Sequence, residues 1–393
     1  MKKYITLLSA LFVVTAIANA QSSIDNVLSA ISKNNKTIVA ETQFWETQNI
    51  QFRTGLTPSD PSVNYDYMIG SPATAGNQTD FIFSQAFDFP TVYARRSQLA
   101  NKQGEQSTLY LNASRQDILL EAKKICIALV YHNKLQAQLT TQKINTEKIL
   151  SDFETRLNKG EGNILDVNKA KLQLIQAGKS ILENTAAIEQ LTTQLTALNG
   201  GNSIVFTDTL YFITPAVPPF EQLEKEYEAS DPLRKILEQQ KKITQSQIQL
   251  SKALWLPKME LGYHYQGILG QTYNGIHAGI SIPLWENKNT VKTQEASLVF
   301  ADLNLQDHRT KHYHEIKQLY EKYSNRNTTL EQYRSVFASL NNTALLTKAL
   351  EIGHITAIEY FMELAYYNNA FISYLQTEKE FYEAIAELYK YQL

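Results

Sequence analysis

The 393-residue chain carries 37 basic and 39 acidic residues, a formal net charge of −2 at pH 7. This near balance gives no basis for nucleic-acid binding, and we expect no nucleic-acid partner. The single cysteine, Cys126, excludes an internal disulfide, so packing or assembly must hold the folded chain together.

The first residues, MKKYITLLSALFVVTAIANAQSS, have the pattern of a secretory signal peptide. Lys2 and Lys3 precede an apolar stretch at 5–17, and the residues ANA at 18–20 fit the small-x-small cleavage rule. An uncleaved anchor helix is the alternative, but the apolar run is short for a span of about 20 residues. We therefore expect 1–20 to be removed and the chain to be exported.

The remainder of the chain shows signs of an internal duplication. Four landmarks recur in one order at offsets of 196 or 193 residues: Asn35 and Asp231, Pro61 and Pro257, Pro90 and Pro283, Gly160 and Gly353. The spacing predicts a first structural repeat over 21–199, a linker over 200–218 and a second repeat over 219–393.

Each half contains two short segments in which apolar and polar residues alternate, at 63–69, 81–89, 259–266 and 276–282. Alternation with period two predicts β-strands. The links GSPATAGNQT and GILGQTYNG join the strands into two hairpins. One face of these strands is rich in Tyr and Phe, and the other is polar or small.

Most of the other residues are expected to form long helices. Residues 93–158 contain no proline and one glycine, which predicts a helix of about 100 Å at 1.5 Å per residue. The segments NKGEGN and IGHIT then interrupt the helical pattern and read as turns between antiparallel helices. After each turn a heptad seam resumes. Its positions are Val167, Ala170, Leu174, Ala177, Ile181, Asn184, Ile188, Leu191, Leu195 and Leu198, and 193 residues later Tyr360, Glu363, Tyr367, Ala370, Tyr374, Thr377, Phe381, Ala384, Leu388 and Tyr391.

The four predicted strands cannot close a barrel, and an open sheet edge is not tolerated in lipid. Closure therefore requires several chains, and three copies would give twelve strands. In such a barrel the aromatic set would face lipid: Phe81, Phe83, Tyr263 and Tyr265. The polar set would face the lumen: Asp66, Asp88, Glu260, His264 and His277.

From residue 23 to residue 393 the chain resembles the TolC-like outer-membrane efflux proteins. The resemblance rests on the duplicated order of helix, β-hairpin, long helix, glycine turn and returning helix. Its most specific phrases are RLNKGEGNILDVNKAKLQL, LPKMELGYHYQ and GISIPLW. It implies a mostly α fold with a small β part: long antiparallel helical hairpins form an α-barrel, and four strands contribute to a trimeric 12-stranded transmembrane β-barrel.

The same resemblance implies a homotrimer in the cell outer membrane, surrounded by outer-membrane lipid and extended into the periplasm by its helices. Its partners would be a periplasmic adaptor and an inner-membrane transporter of the resistance-nodulation-division type. The expected function is an exit duct that passively conducts small molecules or metal cations from periplasm to exterior. The alternatives are the outer-membrane component of type I protein secretion, and a non-channel exported coiled-coil structural or adhesin protein.

The residues around the two turns are the expected functional sites. By the resemblance, Gly160, Gly162, Gly353 and His354 form tips that dock the adaptor, and Asp166 and Glu359 form a pore constriction. Asp166 also lies in the first turn of its helix, where the helix dipole stabilises an anion. Stabilising the helix is therefore an equally good interpretation of this carboxylate. In many relatives a basic residue near the second tip stabilises the closed state. The corresponding segment here, GHITAIE, contains no arginine.

We expect no enzymatic activity, no cofactor and no metal site. No phosphate-binding loop, nucleophile elbow or HExxH motif occurs in the sequence. His308, His312 and His314 lie in DHRTKHYHE and include an i, i+4 pair that could bind a metal. On a long polar helix, a solvated face is the expected interpretation.

Overall fold

The computed structural model describes residues 23–214, 216–340 and 342–393. The expected signal peptide lies outside the described residues. The α-helices are α1 Ser23–Asn34, α2 Lys36–Phe52, α3 Pro90–Asn158, α4 Ile164–Leu198, α5 Phe220–Ser230, α6 Pro232–Ala253, α7 Thr290–Ser339, α8 Asn342–Glu351 and α9 Ala357–Leu388. The strands are β1 Ser62–Met68, β2 Gln78–Phe87, β3 Lys258–Ile268 and β4 Gln271–Ser281. No helix among the described residues is both long and apolar enough to cross a membrane.

The chain divides into two compact units, and each takes segments from both predicted repeats. The sheet unit consists of Thr37–Gln116 and Pro218–Lys317 and contains all four strands given above. The tip unit consists of the described part of 1–36 together with Asp117–Val217 and Gln318–Leu393. The repeat boundaries at 199 and 219 remain a prediction, because spatial units and sequence repeats are different divisions of the chain.

The four strands form one antiparallel sheet in the order β1-β2-β3-β4. The second hairpin is longer than predicted, since β3 and β4 are joined by two residues only, Leu269 (φ 49°) and Gly270 (φ 77°). Positive φ at both turn residues is typical of a type I′ turn, whose twist matches that of the flanking strands. The predicted link GILGQTYNG is therefore wrong, because most of its residues belong to the strands.

The prediction that β2 extends to residue 89 is also wrong. β2 ends at Phe87, and α3 begins at Pro90, which has no backbone N–H to continue a ladder. Asp88 therefore lies beyond the strand, where its Oδ2 pairs with Arg96 Nη2 at 2.7 Å. An ion pair at the strand exit is the observed environment of this carboxylate.

The heptad seams of the two returning helices lie largely inside the tip unit. In α4 none of the ten predicted seam positions is exposed, and Ala170 and Leu195 are fully buried. In α9 one seam position is wrong, since Glu363 is exposed and its neighbour Leu364 is buried instead. The seam polar residue Asn184 is satisfied: its amide donates to the His132 carbonyl at 2.9 Å and to Gln136 Oε1 at 2.7 Å.

A hydrophobic core in the tip unit joins α1 to the middle of α3 and the end of α4. Ile31, Leu129 and Leu195 have no exposed surface in this core, and neither does Cys126. Burial, with a smaller contribution from the charge of Asp208, raises the pKa of the Cys126 thiol to about 12. The thiol is therefore protonated and inaccessible at neutral pH.

We expect Cys126 to resist alkylation in the folded protein, because the thiolate is the reactive species. At pH 8, iodoacetamide should label it only after denaturation in guanidinium chloride, as measured by intact mass. Ser151→Cys, at an exposed position of the same helix, is the matched control and should be labelled in the native state. Native labelling of Cys126 at the rate of this control would contradict the burial of the thiol.

Candidate functional site

The two predicted tips have the same backbone structure. At the first, Gly160 N–H donates to the Leu157 carbonyl and Glu161 N–H to the Arg156 carbonyl. At the second, Gly353 N–H donates to Leu350 and His354 N–H to Ala349. This bond pair is the Schellman motif, which ends a helix with a residue of positive φ. Gly160 has φ 79° and Gly353 φ 74°, so both glycines are needed for the backbone they adopt.

In each turn, the residue three positions after the glycine caps the next helix. Asn163 caps α4 by accepting the Leu165 N–H at its Oδ1, at 3.0 Å. Thr356 caps α9 by accepting the Glu359 N–H at its Oγ1, at 3.2 Å. The caps stand at the 193-residue offset, although Asn163 accepts from the second residue of its helix and Thr356 from the third.

Asp166 and Glu359 occupy the same position, the third residue of their helices. The Glu359 carboxylate accepts the Thr356 N–H at 2.8 Å and the Thr356 hydroxyl at 2.9 Å, which completes a capping box. These hydrogen bonds lower the pKa of Glu359, so it is anionic at neutral pH. Glu359 is exposed and Asp166 half-buried. The Glu359 carboxylate thus belongs to a helix cap, Asp166 lies in the first turn of its helix, and the role of both in a constriction stays a prediction.

The two tips, far apart in sequence, pack into one hydrophobic cluster of the tip unit. Val167 and Ala170 from α4 lie in it with Tyr360 and Leu364 from α9. Tyr360 is completely buried there, although it is only one residue from the exposed Glu359. This contact was not predicted from the sequence, although both heptad seams start at the tips, which was the available signal for it.

The four tip residues expected to dock an adaptor differ in how much space surrounds them. A Cβ added at Gly160 or Gly353 would meet no heavy atom within 4 Å. A Cβ at Gly162 would lie 2.5 Å from the Leu157 backbone nitrogen, so a side chain does not fit at this place in the turn. His354 is exposed, directly after Gly353. All four residues are exposed, but only Gly160 and Gly353 among the three glycines have room for a Cβ.

The sheet has one apolar face and one polar face, as the alternation predicts. Directly opposed residues on neighbouring strands point to the same side of a sheet. Phe81 pairs with Tyr265, and Phe83 pairs with Tyr263, so these aromatic side chains share a face. The apolar face is solvent-accessible, with Tyr65 63% exposed.

The polar face carries ionisable residues from all four strands. His264 Nε2 lies 3.8 Å from Asp80 Oδ1, and His277 Nε2 lies 3.9 Å from Glu260 Oε1. Asp66 pairs with Asp80 across β1 and β2. Asp80 was absent from the sequence-based set because β2 was predicted to begin at 81, although the alternation of Gln78 and Asp80 continues the polar face.

The expectation of a solvated histidine face on α7 is wrong for two of its three members. His314 is exposed, but the side chains of His308 and His312 are only 14% and 8% exposed. Both approach Asp231 at the start of α6, where His308 Nε2 lies 2.5 Å from Asp231 Oδ2. Burial is the largest influence on His312 and lowers its pKa, which favours the neutral imidazole. Asp231, His308 and His312 could together hold a metal ion.

Comparison with known proteins gives matches by structure. No protein-family model matches the chain, and no curated protein matches it. The solved structure of the transmembrane channel protein CusC matches with a TM-score of 0.74 at 14% identity, over 94% of this chain and 91% of that one. The outer-membrane protein VceC of Vibrio cholerae matches with a TM-score of 0.73 at 13% identity, over 94% and 95%.

A third match is the CmeC outer-membrane channel of Campylobacter jejuni, with a TM-score of 0.69 at 14% identity over 94% of this chain and 85% of that one. These matches extend over almost the whole chain and include both its long helices and its four-stranded sheet. The TolC-like fold predicted from the sequence is therefore confirmed: the chain has the fold of outer-membrane efflux channels.

Proposed function

We propose that this protein is the outer-membrane exit duct of a tripartite efflux pump. The observation that carries the proposal is the four-stranded sheet, which has an exposed apolar face, an opposed polar face and two edge strands. Within the described residues, β1 and β4 each pair on one side only. Such a sheet matches the needs of a barrel segment, with aromatic residues toward lipid and polar residues toward water.

Self-assembly supplies the missing partners of the edge strands. β1 of one copy pairs with β4 of the next, and three copies close a ring of twelve strands with no free edge. Phe81, Phe83, Tyr263 and Tyr265 then face outer-membrane lipid. Asp66, Glu260, His264 and His277 face the aqueous lumen, with Asp88 at its rim. The fold shared with outer-membrane channels supports this arrangement.

The tips serve as the periplasmic end of the duct. Gly160, Gly162, Gly353 and His354 contact a periplasmic adaptor, and an inner-membrane transporter of the resistance-nodulation-division type supplies energy. The carboxylates of Asp166 and Glu359, repeated in three copies, form an anionic ring that narrows the pore and attracts cations. The duct has no chemical step of its own, and the transporter selects the small molecules or metal cations that pass.

A heptad-rich exported spacer or adhesin is the principal rival, and native mass separates it from the duct. We expect the protein in the outer-membrane fraction, extracted by detergent as a particle of three chains, each of 44.7 kDa less the mass of the removed leader. The measurement is mass photometry or light scattering of the detergent-solubilised protein. A monomer or dimer in the soluble periplasmic fraction would contradict the proposed duct.

The tip carboxylates are tested by removing their charge without removing the cap. Gln can replace Glu in a capping box, so Asp166→Asn with Glu359→Gln leaves the helix starts intact. We expect the cation-to-anion permeability ratio to fall by about twofold or more, because the ring loses its negative charge. The measurement is the reversal potential of single channels in planar bilayers under a KCl gradient.

Thr356→Ala is the matched control, because it weakens the cap of α9 and keeps both charges. Its permeability ratio should equal that of the wild-type channel. An unchanged ratio in the double variant, or an equal change in the control, would refute the assignment of Asp166 and Glu359 to the constriction.

The docking role of the tips is tested with bulky and small substitutions at the same glycines. Either Trp or Asn at Gly160 or Gly353 must adopt positive φ. This conformation costs about 1–2 kcal/mol for a residue other than Asn, and therefore for Trp. The Cβ of either residue meets no heavy atom within 4 Å. We expect Gly160→Trp and Gly353→Trp to abolish export while Gly160→Asn and Gly353→Asn retain it, as measured by ethidium accumulation and metal-cation tolerance in the native host.

Trimer content, determined by native gels of the membrane fraction, should be equal in all four variants. Full export by the Trp variants would show that these glycines lie outside the docking surface.

A further inference from the structure

We infer that Asp231, His308 and His312 form a binding site for a divalent transition-metal ion, with Zn²⁺ as the best match. The three residues lie within the sheet unit and join the start of α6 to the middle of α7. One potential ligand atom from each residue lies within 4.8 Å of the others. Metal binding here does not depend on the proposed channel activity.

The ligand set has the chemistry and spacing of a zinc site. His308 and His312 stand at i and i+4, so both imidazoles leave the same side of α7, with ring centroids 5.1 Å apart. Zinc binds imidazole nitrogen and carboxylate oxygen at about 2.0–2.2 Å, and three protein ligands with one open position are common. Two ligands of a tetrahedral ion are then about 3.4 Å apart.

The distances around Asp231 bracket this value. His312 Nε2 lies 3.5 Å from Asp231 Oδ2, close to the spacing that a shared ion requires. His308 Nε2 lies 2.5 Å from the same oxygen, so this side chain must move outward by about 1 Å to admit an ion. A rotation of one partly exposed imidazole is sufficient for that movement.

Other contacts orient the side chains of Asp231 and His312. Asp231 Oδ1 accepts the Leu233 N–H at 2.9 Å as the cap of α6, which directs Oδ2 toward the histidines. His312 Nδ1 faces Glu315 Oε2 at 3.8 Å, while its Nε2 is directed to Asp231. A carboxylate beyond the distal nitrogen of a histidine ligand is the usual outer partner in metal sites.

A cavity of about 260 Å³ beside these residues gives an ion and its water ligands a path from solvent. Two arginines border the cavity, and their charge alone would oppose a cation. Each is offset by carboxylates: Arg234 Nε lies 3.0 Å from Glu238 Oε1, and Arg309 Nε lies 4.0 Å from Glu228 Oε1. The arginine charges are therefore paired locally and do not by themselves exclude a cation from the cavity.

The duplication shows that the histidine and the acid are particular to the second repeat. The offset of 196 relates Asp231 to Asn35, and each donates its backbone N–H to the carbonyl four residues earlier, Tyr227 and Ile31. The offset of 193 relates His312 to Leu119, a buried core residue. At the corresponding positions the first repeat thus has an amide and a leucine, and the second has a carboxylate and a buried imidazole.

Zinc titration of the full-length protein in detergent, made with no polyhistidine tag, tests the site. Isothermal titration calorimetry should give one Zn²⁺ per chain with a dissociation constant of about 1 μM or lower. Asp231→Asn and His312→Leu introduce the residues of the other repeat, and Asn retains the helix cap. Each should weaken zinc binding by about 100-fold or more, since it removes a direct ligand.

His314→Ala is the matched control, because this exposed histidine lies on the same helix outside the cluster. This variant should bind zinc as the wild-type protein does. Mg²⁺ should not compete with zinc for the site, because Mg²⁺ disfavours imidazole ligands. A wild-type stoichiometry near zero would overturn the inference. A zinc affinity equal to that of the wild-type protein in Asp231→Asn and His312→Leu would also overturn it. So would a loss of affinity in His314→Ala as large as the loss in those two variants.

A spectroscopic measurement on the wild-type protein avoids any dependence on folding of the variants. Co²⁺ bound in place of zinc should give the intense visible absorption of a four-coordinate ion, and added Zn²⁺ should abolish it. Weak absorption of the six-coordinate type would contradict the site. Zinc should also raise the midpoint of thermal unfolding of the wild-type protein, because a ligand that binds only the folded state stabilises it.

Discussion

Backbone hydrogen bonding at the two edges of the sheet is the constraint on which the proposed assembly depends. Among the residues that the structure describes, β1 and β4 each have one row of N–H and C=O groups with no strand partner, and these groups cost several kcal/mol each if left unsatisfied in hydrocarbon. The apolar face of the same sheet favours transfer to lipid. Both requirements are met together only when the edge strands of neighbouring copies pair, so insertion and oligomerisation are one event in this proposal.

The sequence predicted those parts of the fold that depend on periodicity and on glycine. Alternation located all four strands, and the landmarks at Gly160 and Gly353 located both tips, which proved to share their hydrogen bonds as well. Strand ends were less accurate. The turn at Leu269 and Gly270 places a leucine at positive φ, a conformation that composition does not reveal.

The side-chain environments were harder to predict, because they depend on contacts between segments far apart in sequence. His308 and His312 look solvated on a helix of polar composition, yet Asp231, about 80 residues earlier, covers them. Glu359 can be read as a pore charge or as part of a helix cap, and its hydrogen bonds to Thr356 establish the second role. A residue that serves a cap can also carry charge for a pore, so the two roles are compatible.

The common core of the two tips has a mechanical consequence. Tyr360 and Val167 belong to one buried cluster, which any separation of the two helical turns must break. Exposing a fully buried large side chain costs about 1.5–3 kcal/mol, and several would be exposed together. A force on one turn is therefore transmitted to the other, and the two turns move together. An adaptor that grips only one of the two turns in each chain would thus be sufficient to displace both.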